Sequence, residues 1–124
     1  MERFLGNFSY TSDYRLKKNI KPVTANAIDR IMQLRAVTYE YKDIPGSIFK
    51  SDGKIHEGFI AHELKTVITD AVNGEKDAVS GTGEMQSQTL DPIPVISVLT
   101  KAVQEQQVQI ERLIQRIEQL EKKL

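Results

Sequence analysis

The last third of the chain admits only one kind of regular structure. From residue 93 onward there is no glycine, and after Pro94 there is no proline. Apolar residues fall at Ile96, Leu99, Val103, Ile110, Leu113, Ile117, Leu120 and Leu124, in steps of three and four with one seven-residue step across Gln106. This predicts a helix with Ile96, Val103, Ile110, Ile117 and Leu124 at heptad position a, and Leu99, Gln106, Leu113 and Leu120 at d. About four heptads meet the usual threshold for a coiled coil. Such a helix is roughly 45 Å long. Two arrangements would hide its seam: the helix lies on its own domain, or it self-associates. The sustained 3.5-residue period and polar flanks favour self-association. Ile at a with Leu at d leans towards two strands, and a polar Gln106 layer fixes register at some cost in stability. Arg116 at g and Glu121 at the following e are placed to pair between parallel helices. The pattern predicts a parallel oligomer of two or three chains.

Composition narrows what stands in front of that helix. The chain has 124 residues, enough for a small domain plus one long helix. Seventeen basic residues balance seventeen acidic ones, so a nucleic-acid binder driven by phosphate contacts is not expected. The absence of cysteine excludes thiol catalysis, disulfides and Cys-based zinc sites. With only His56 and His62, no metal site is expected, and no other cofactor is implied. No apolar run approaches the roughly 18–20 residues of a membrane span, and MERFLGNF is too short and too polar for a secretory signal. The expectation is a soluble, cytosol-compatible chain with no nucleic-acid or membrane partner.

The residues before the helix read as a small α+β head. Thr24 is placed to cap a short helix over 25–34, with Ile28, Ile31 and Met32 on one side. Residues 36–42 alternate Val37, Tyr39 and Tyr41 against Thr38, Glu40 and Lys42, the pattern of a half-buried strand. Pro45-Gly46 marks a turn, and 50–54 an exposed loop. Residues 56–61 make the returning strand, and 62–68 a helix with Leu64, Val67 and Ile68 inward. The glycines of 73–84 predict a mobile loop, and 85–90 a short strand leading to Asp91, which caps the long helix with Pro92 at its first position. The domains expected are a stub over 1–11, a head over 12–92 and a coiled-coil helix over 93–124. The core of so small a head is thin, and its stability is marginal without oligomerisation.

The chemistry concentrates in Ser12-Asp13-Tyr14-Arg15-Leu16-Lys17-Lys18-Asn19-Ile20-Lys21, a hydroxyl, a carboxylate and four cations within ten residues. Lys17 would serve as a general base for Ser12 only if neutral, which requires a pKa well below its ordinary value. Burial and the like charges of Arg15, Lys18 and Lys21 push in that direction. Spacing does not make the case. Residues five apart point to opposite faces of a strand and lie about 140° apart on a helix. Ser12 and Lys17 meet only across a turn or between chains. On the residues alone, the simpler reading is a solvated basic stretch with Ser-Asp as a turn or cap. His62 beside Glu63 is a weaker candidate for a catalytic or metal pair, and more simply a residue satisfied at a helix start. The glycines of 74–83 have no phosphate-loop spacing.

The same segment resembles the S-D-x-R-L-K-x-x-I signature that opens the peptidase S74 family, the C-terminal intramolecular chaperone domains of phage tail spikes, tail fibres and neck appendages. Gly58-Phe59-Ile60-Ala61-His62-Glu63 is similar to the family's G-F-I-A-Q-E, with His62 where Gln is usual. Ile93-Pro94-Val95 followed by Lys101-Ala102-Val103-Gln104-Glu105 is similar to its L-I-P…K-A-x-Q-E helix. The resemblance runs over residues 12–124. It implies a homotrimer that helps a fibrous passenger of the same polypeptide fold in register. The domain then cuts itself off at Thr11–Ser12, with Ser12 as nucleophile and Lys17 as base. Residues 1–11 are then the end of that passenger or an added stub. Folding and cleavage take place in the host-cell cytoplasm during phage assembly. The passenger goes to the virion tail and the chaperone is released. If the Ser12–Lys17 contact forms only in the folded trimer, cleavage reports on assembly. The alternative is a non-catalytic trimerisation module retained on the fibre. A third reading is the related domain of eukaryotic membrane-tethered transcription factors, for which this sequence carries neither a DNA-binding nor a membrane part.

Overall fold

The computed structural model describes residues 10–124, so residues 1–9 of the expected stub lie outside the described residues. The elements in chain order are a single 3-10 turn (Tyr14–Leu16), α1 (Ala27–Met32), β1 (Val37–Tyr39), β2 (His56–Gly58), α2 (Ala61–Val67), β3 (Val72–Asn73), β4 (Thr89–Leu90) and α3 (Pro92–Glu121). This is a small mixed head followed by a long C-terminal helix.

The long helix begins where the sequence requires. Asp91 is extended and its carboxylate accepts the Ile93 N–H at 3.0 Å, while Pro92 has no N–H to satisfy. With no breaker behind it, α3 runs for 30 residues. It carries two apolar stripes offset by one residue, about 100° apart around the axis. Val95, Val98 and Ala102 turn into the head, where Val98 and Ala102 are buried. The heptad positions Ile96, Leu99, Val103, Ile110, Leu113, Ile117 and Leu120 remain 46–61% exposed, and Gln106 and Leu124 are exposed with them. The helix thus lies on its own head along one face without using the heptad face to do so. The head's core crosses residue 92, because two of its buried side chains belong to α3.

Helix α1 packs against α3 more extensively than any other pair of elements. Its start differs from expectation. The cap falls at Asn26, not Thr24, and Asn26 adopts a left-handed conformation (φ 67°, ψ 35°) that its short polar side chain tolerates. The Asn26 side chain caps nothing. The Glu105 carboxylate, reaching across from α3, accepts the Ile28 N–H at 3.0 Å. Small side chains at Ala27 and Ala102, both in the core, let the two helices approach closely enough for this. The Ile28 N–H, with lesser help from the amides of Ala27 and Asn26, holds the Glu105 carboxyl below its ordinary value. Carboxylates at a helix N-terminus also answer the orphan amides and the helix dipole.

Strands β1 and β2 pair antiparallel, Val37 opposite Gly58 and Tyr39 opposite His56. The inward side chains of β1 alternate as expected, although the strand ends at Tyr39. Tyr41 instead sets its ring edge-on to Tyr39, with centroids 5.3 Å apart. The loop joining the strands is tied by its own polar groups: Asp43 accepts the Ser51 N–H, and Asp52 contacts His56 Nε2 at 2.7 Å. Strands β3 and β4 also pair antiparallel and deliver the chain to Asp91, whose N–H donates to the Ala71 carbonyl at 2.8 Å. Gly74, just past β3, has φ +89°, and its carbonyl accepts from Lys65 Nζ at 2.8 Å. The expected strand over 85–90 is shorter than its pattern. Met85 bridges back to Val79, and Ser80 donates its N–H to the Glu84 carbonyl, so 78–86 closes on itself as a tight hairpin.

The core is thin, as expected. Its buried members are Ala27, Leu64, Ile68, Ala71, Val72, Val98 and Ala102, with Phe59, Val23, Ile31 and Leu34 packed partly against them. Leu64 is the largest fully enclosed side chain. Leu64→Ala is expected to cost about 2–5 kcal/mol, enough to unfold a marginal head, and a denaturant titration reads this directly. Glu105 supplies a pH signature. Its folded pKa is depressed, so its contribution is present above the unfolded value of about 4.5 and is lost as pH falls through the lower folded value. The melting temperature of Glu105→Gln should therefore lie below that of the parent at pH 7. The gap should narrow progressively as the buffer is taken below pH ~4. An equal gap at pH 7 and pH ~2.5 would exclude this carboxylate as the cap.

Candidate active site

Ser12 and Lys17 are brought together within one chain. Lys17 Nζ donates to Ser12 Oγ at 2.5 Å. The element that does this is the 3-10 turn Tyr14–Leu16, closed by the Leu16 N–H on the Asp13 carbonyl and the Lys17 N–H on the Tyr14 carbonyl, both at 3.0 Å. Neither a strand nor an α-helix brings residues five apart face to face. A single tight turn between two extended residues, Asp13 (φ −65°, ψ 132°) and Lys17 (φ −116°, ψ 147°), does. Of the two routes open to Ser12 and Lys17, the chain takes the turn.

Asp13 is the turn's N-cap, and Arg15 its partner. One oxygen of Asp13 accepts the Arg15 backbone N–H at 2.9 Å and Arg15 Nε at 3.0 Å, and the other accepts the guanidinium Nη2 at 2.8 Å. This two-pronged contact, with the backbone N–H added, holds the Asp13 carboxyl below its ordinary value and raises Arg15. The sequence placed Arg15 among the like charges acting on Lys17. In the structure its charge is answered by Asp13 first.

The setting is open. Every residue from Tyr10 to Pro22 is exposed, the Thr11–Ser12 bond included. Tyr14, Leu16 and Ile20 are 76%, 71% and 72% exposed, apolar side chains left open among the described residues. Asn19 is left-handed (φ 56°), and burial begins only at Val23.

His62 and Glu63 do not form a pair of their own. Glu63 takes the Arg35 guanidinium on both oxygens, at 2.9 and 2.7 Å, and Arg35 holds its carboxyl below the ordinary value. The contact ties the start of α2 to Arg35, two residues before β1. His62 sits half-buried on the first turn of α2, in a shallow hollow with Leu34, Arg35 and Phe59. Among the described residues no group of three or more His, Asp or Glu side chains stands ready for a metal.

Sequence reasoning missed three groups that shape the head: the Asp13–Arg15 clasp, the Arg35–Glu63 pair and the Glu105 cap. The first had a local signal, a capping residue two before an arginine. The other two join residues 28 and 77 positions apart and left none.

Comparison with known proteins gives the family of this segment. Myelin regulatory factor homolog 1 of Caenorhabditis elegans is 40% identical over 70 residues, covering 54% of this chain and only 8% of that protein. The family model described as chaperone of endosialidase, Peptidase_S74, matches residues 12–73, half of the chain, opening at Ser12 itself. The segment that carries the Ser12–Lys17 contact, the β1–β2 pair and α2 is the matched unit, and the chain belongs to the Peptidase_S74 family of endosialidase-type chaperones.

Proposed function

We propose that the chain is an intramolecular chaperone that trimerises through α3, assists folding of a fibrous passenger joined ahead of Ser12, and then severs the Thr11–Ser12 bond with Ser12 as nucleophile and Lys17 as base. The observation that carries the catalytic part is the 2.5 Å contact between Lys17 Nζ and Ser12 Oγ across a turn, at the first residue of the family match. In this mechanism Lys17 takes the Ser12 hydroxyl proton as Oγ attacks the Thr11 carbonyl carbon. The Thr11–Ser12 C–N bond breaks, the proton passes to the departing Ser12 amine, and Thr11 is held as an ester on Oγ. Water then cleaves the ester, leaving a Thr11 carboxylate and a free Ser12 hydroxyl, with one water consumed in all.

The open heptad face supports self-association, since a seam of seven half-exposed aliphatic side chains is costly to leave in water. Ile110, Leu113, Ile117 and Leu120 lie beyond the part of α3 that packs on the core, exposed and in position for other copies of the helix to cover them. Assembly also answers the exposure of the cleavage segment. The general-base role needs a neutral amine, and removing a site from water favours neutral over charged forms. The contact is made in one chain; enclosure of Tyr14, Leu16 and Ile20 by the assembled chains would then license the reaction. Three chains clamped at one end raise the effective concentration of the passenger strands and set their register, which matters because non-local β pairing is slow. With a phage fibre as passenger, this takes place in the host cytoplasm and the cut passenger joins the virion tail. The match to a small part of a much longer regulatory factor homolog fits a unit that works on different attached chains.

The test is intact mass of the chain fused to its natural upstream segment. The parent should yield a fragment beginning at Ser12. Ser12→Ala should stay uncut, and Lys17→Ala should be slowed by about 10²–10⁴-fold, the usual scale of a general base, with oligomerisation unchanged in both. A parent that assembles but is never cut would favour a retained, non-catalytic trimerisation module. Replacing Ile110 and Ile117 together by Asp should abolish the oligomer seen by light scattering, and passenger folding with it. If light scattering still returns the parent's mass, α3 is not the assembly element.

A further inference from the structure

We propose that Arg15 is a positioning residue for the Ser12–Lys17 pair: by occupying both oxygens of Asp13 it keeps that carboxylate from capturing the Lys17 ammonium, and so leaves Lys17 to Ser12. The inference rests on the assignment of Ser12 and Lys17 as the cleaving pair, and it concerns what keeps them matched.

From Tyr10 to Ile28, Asp13 is the only carboxylate in the sequence. It is the residue next to Ser12, whose Oγ already holds Lys17 Nζ. A lysine ammonium on a flexible stem meets an unpaired carboxylate in preference to a neutral hydroxyl, because charge-assisted contacts are the stronger ones. An Asp13–Lys17 ion pair would cost the reaction twice. It would draw Nζ away from Oγ, and it would hold the amine in the charged form that cannot accept a proton. The structure shows the competitor already engaged. Arg15 puts Nε on one oxygen and Nη2 on the other, and its backbone N–H onto the first. A planar guanidinium fills a carboxylate in this fork; a lysine ammonium does not.

The charges divide cleanly. Lys18 and Lys21 are the other cations of the segment, and Tyr14 its phenol; all are exposed. The carboxyl of Asp13 lies below its ordinary value and Arg15 above its own, so both partners of the contact carry their charge at neutral pH. The same carboxylate caps the turn. Asp13 therefore has a structural task that makes it useful to keep and an electrostatic side effect that Arg15 removes.

The experiment measures the first-order rate of self-cleavage against pH in the full chain fused to its upstream segment. In Arg15→Ala, Asp13 is released. Cleavage at pH 7 should fall about tenfold and recover at higher pH, with the rising limb displaced upward by about one pH unit. In Asp13→Asn/Arg15→Ala the side chain at 13 can still cap the turn but carries no charge, and the limb should return to the parent's position. A limb that stays put in Arg15→Ala, whatever happens to the plateau rate, overturns the proposal and reduces Arg15 to a brace of the turn. So does a double variant whose limb remains displaced. Ser12→Ala run alongside separates the two levels: cleavage at the same bond in Ser12→Ala discards the nucleophile assignment, and this proposal with it. An inert Ser12→Ala with an unmoved Arg15→Ala limb discards the role of Arg15 alone.

Discussion

The docking of α1 on α3 is the contact on which the rest of this small head depends. It is made by alanines, Ala27 and Ala102, and closed by one carboxylate, Glu105, that serves the start of α1 from the far side of the interface. The arrangement does two things at once. It gives the head buried surface that a chain of this size cannot find within itself, because Val98 and Ala102 belong to the long helix. It also fixes which way α3 faces. Once Val95, Val98 and Ala102 are turned inward, the heptad stripe beginning at Ile96 is turned out, a fixed rotation away. The head thus presents the seam at a set angle, and an assembly built on that seam would place three heads in a defined relation.

The Ser12–Lys17 segment obeys the opposite logic. Among the described residues nothing buries 10–22, and the geometry that joins Ser12 to Lys17 is local: a 3-10 turn, its Asp13 cap and the Arg15 fork. A local device suffices here, because Thr11, Ser12 and Lys17 all lie within seven residues of one chain. Closing so short a turn carries a low entropic cost. Tyr14, Leu16 and Ile20 stay exposed beside the Lys17–Ser12 contact, so the contact is made without burial of its neighbours.

The legibility of the chain follows the range of its interactions. Where the cause lies within a turn or two, the residues speak for themselves. Asp91 and Pro92 open α3, the alternation of Val37, Thr38 and Tyr39 marks β1, and Leu64 faces the core of α2. Where the cause is a distant partner, the reading slips. Thr24 is a reasonable cap on sequence, yet the helix starts two residues later than expected, with Glu105 capping it from α3. The strand expected over 85–90 keeps only its last two residues, because 78–86 folds back on itself. His62 and Glu63 look like a pair, but Glu63 answers Arg35.

The sequence by itself determined the long helix, its heptad period, the α+β character of the head and the segment in which chemistry is concentrated. These are properties of periodicity and of residue type, which survive without neighbours. Only the tertiary structure decided which stripe of α3 is buried on the head and which is left open, since both stripes are apolar and differ by a single residue of phase. It also decided that Ser12 and Lys17 meet inside one chain, and that Arg15 is bound to Asp13 and so is not a free like charge beside Lys17. Spacing alone could not choose, because five residues bring two side chains together only when the backbone between them turns. The backbone turns here because Asp13 caps it.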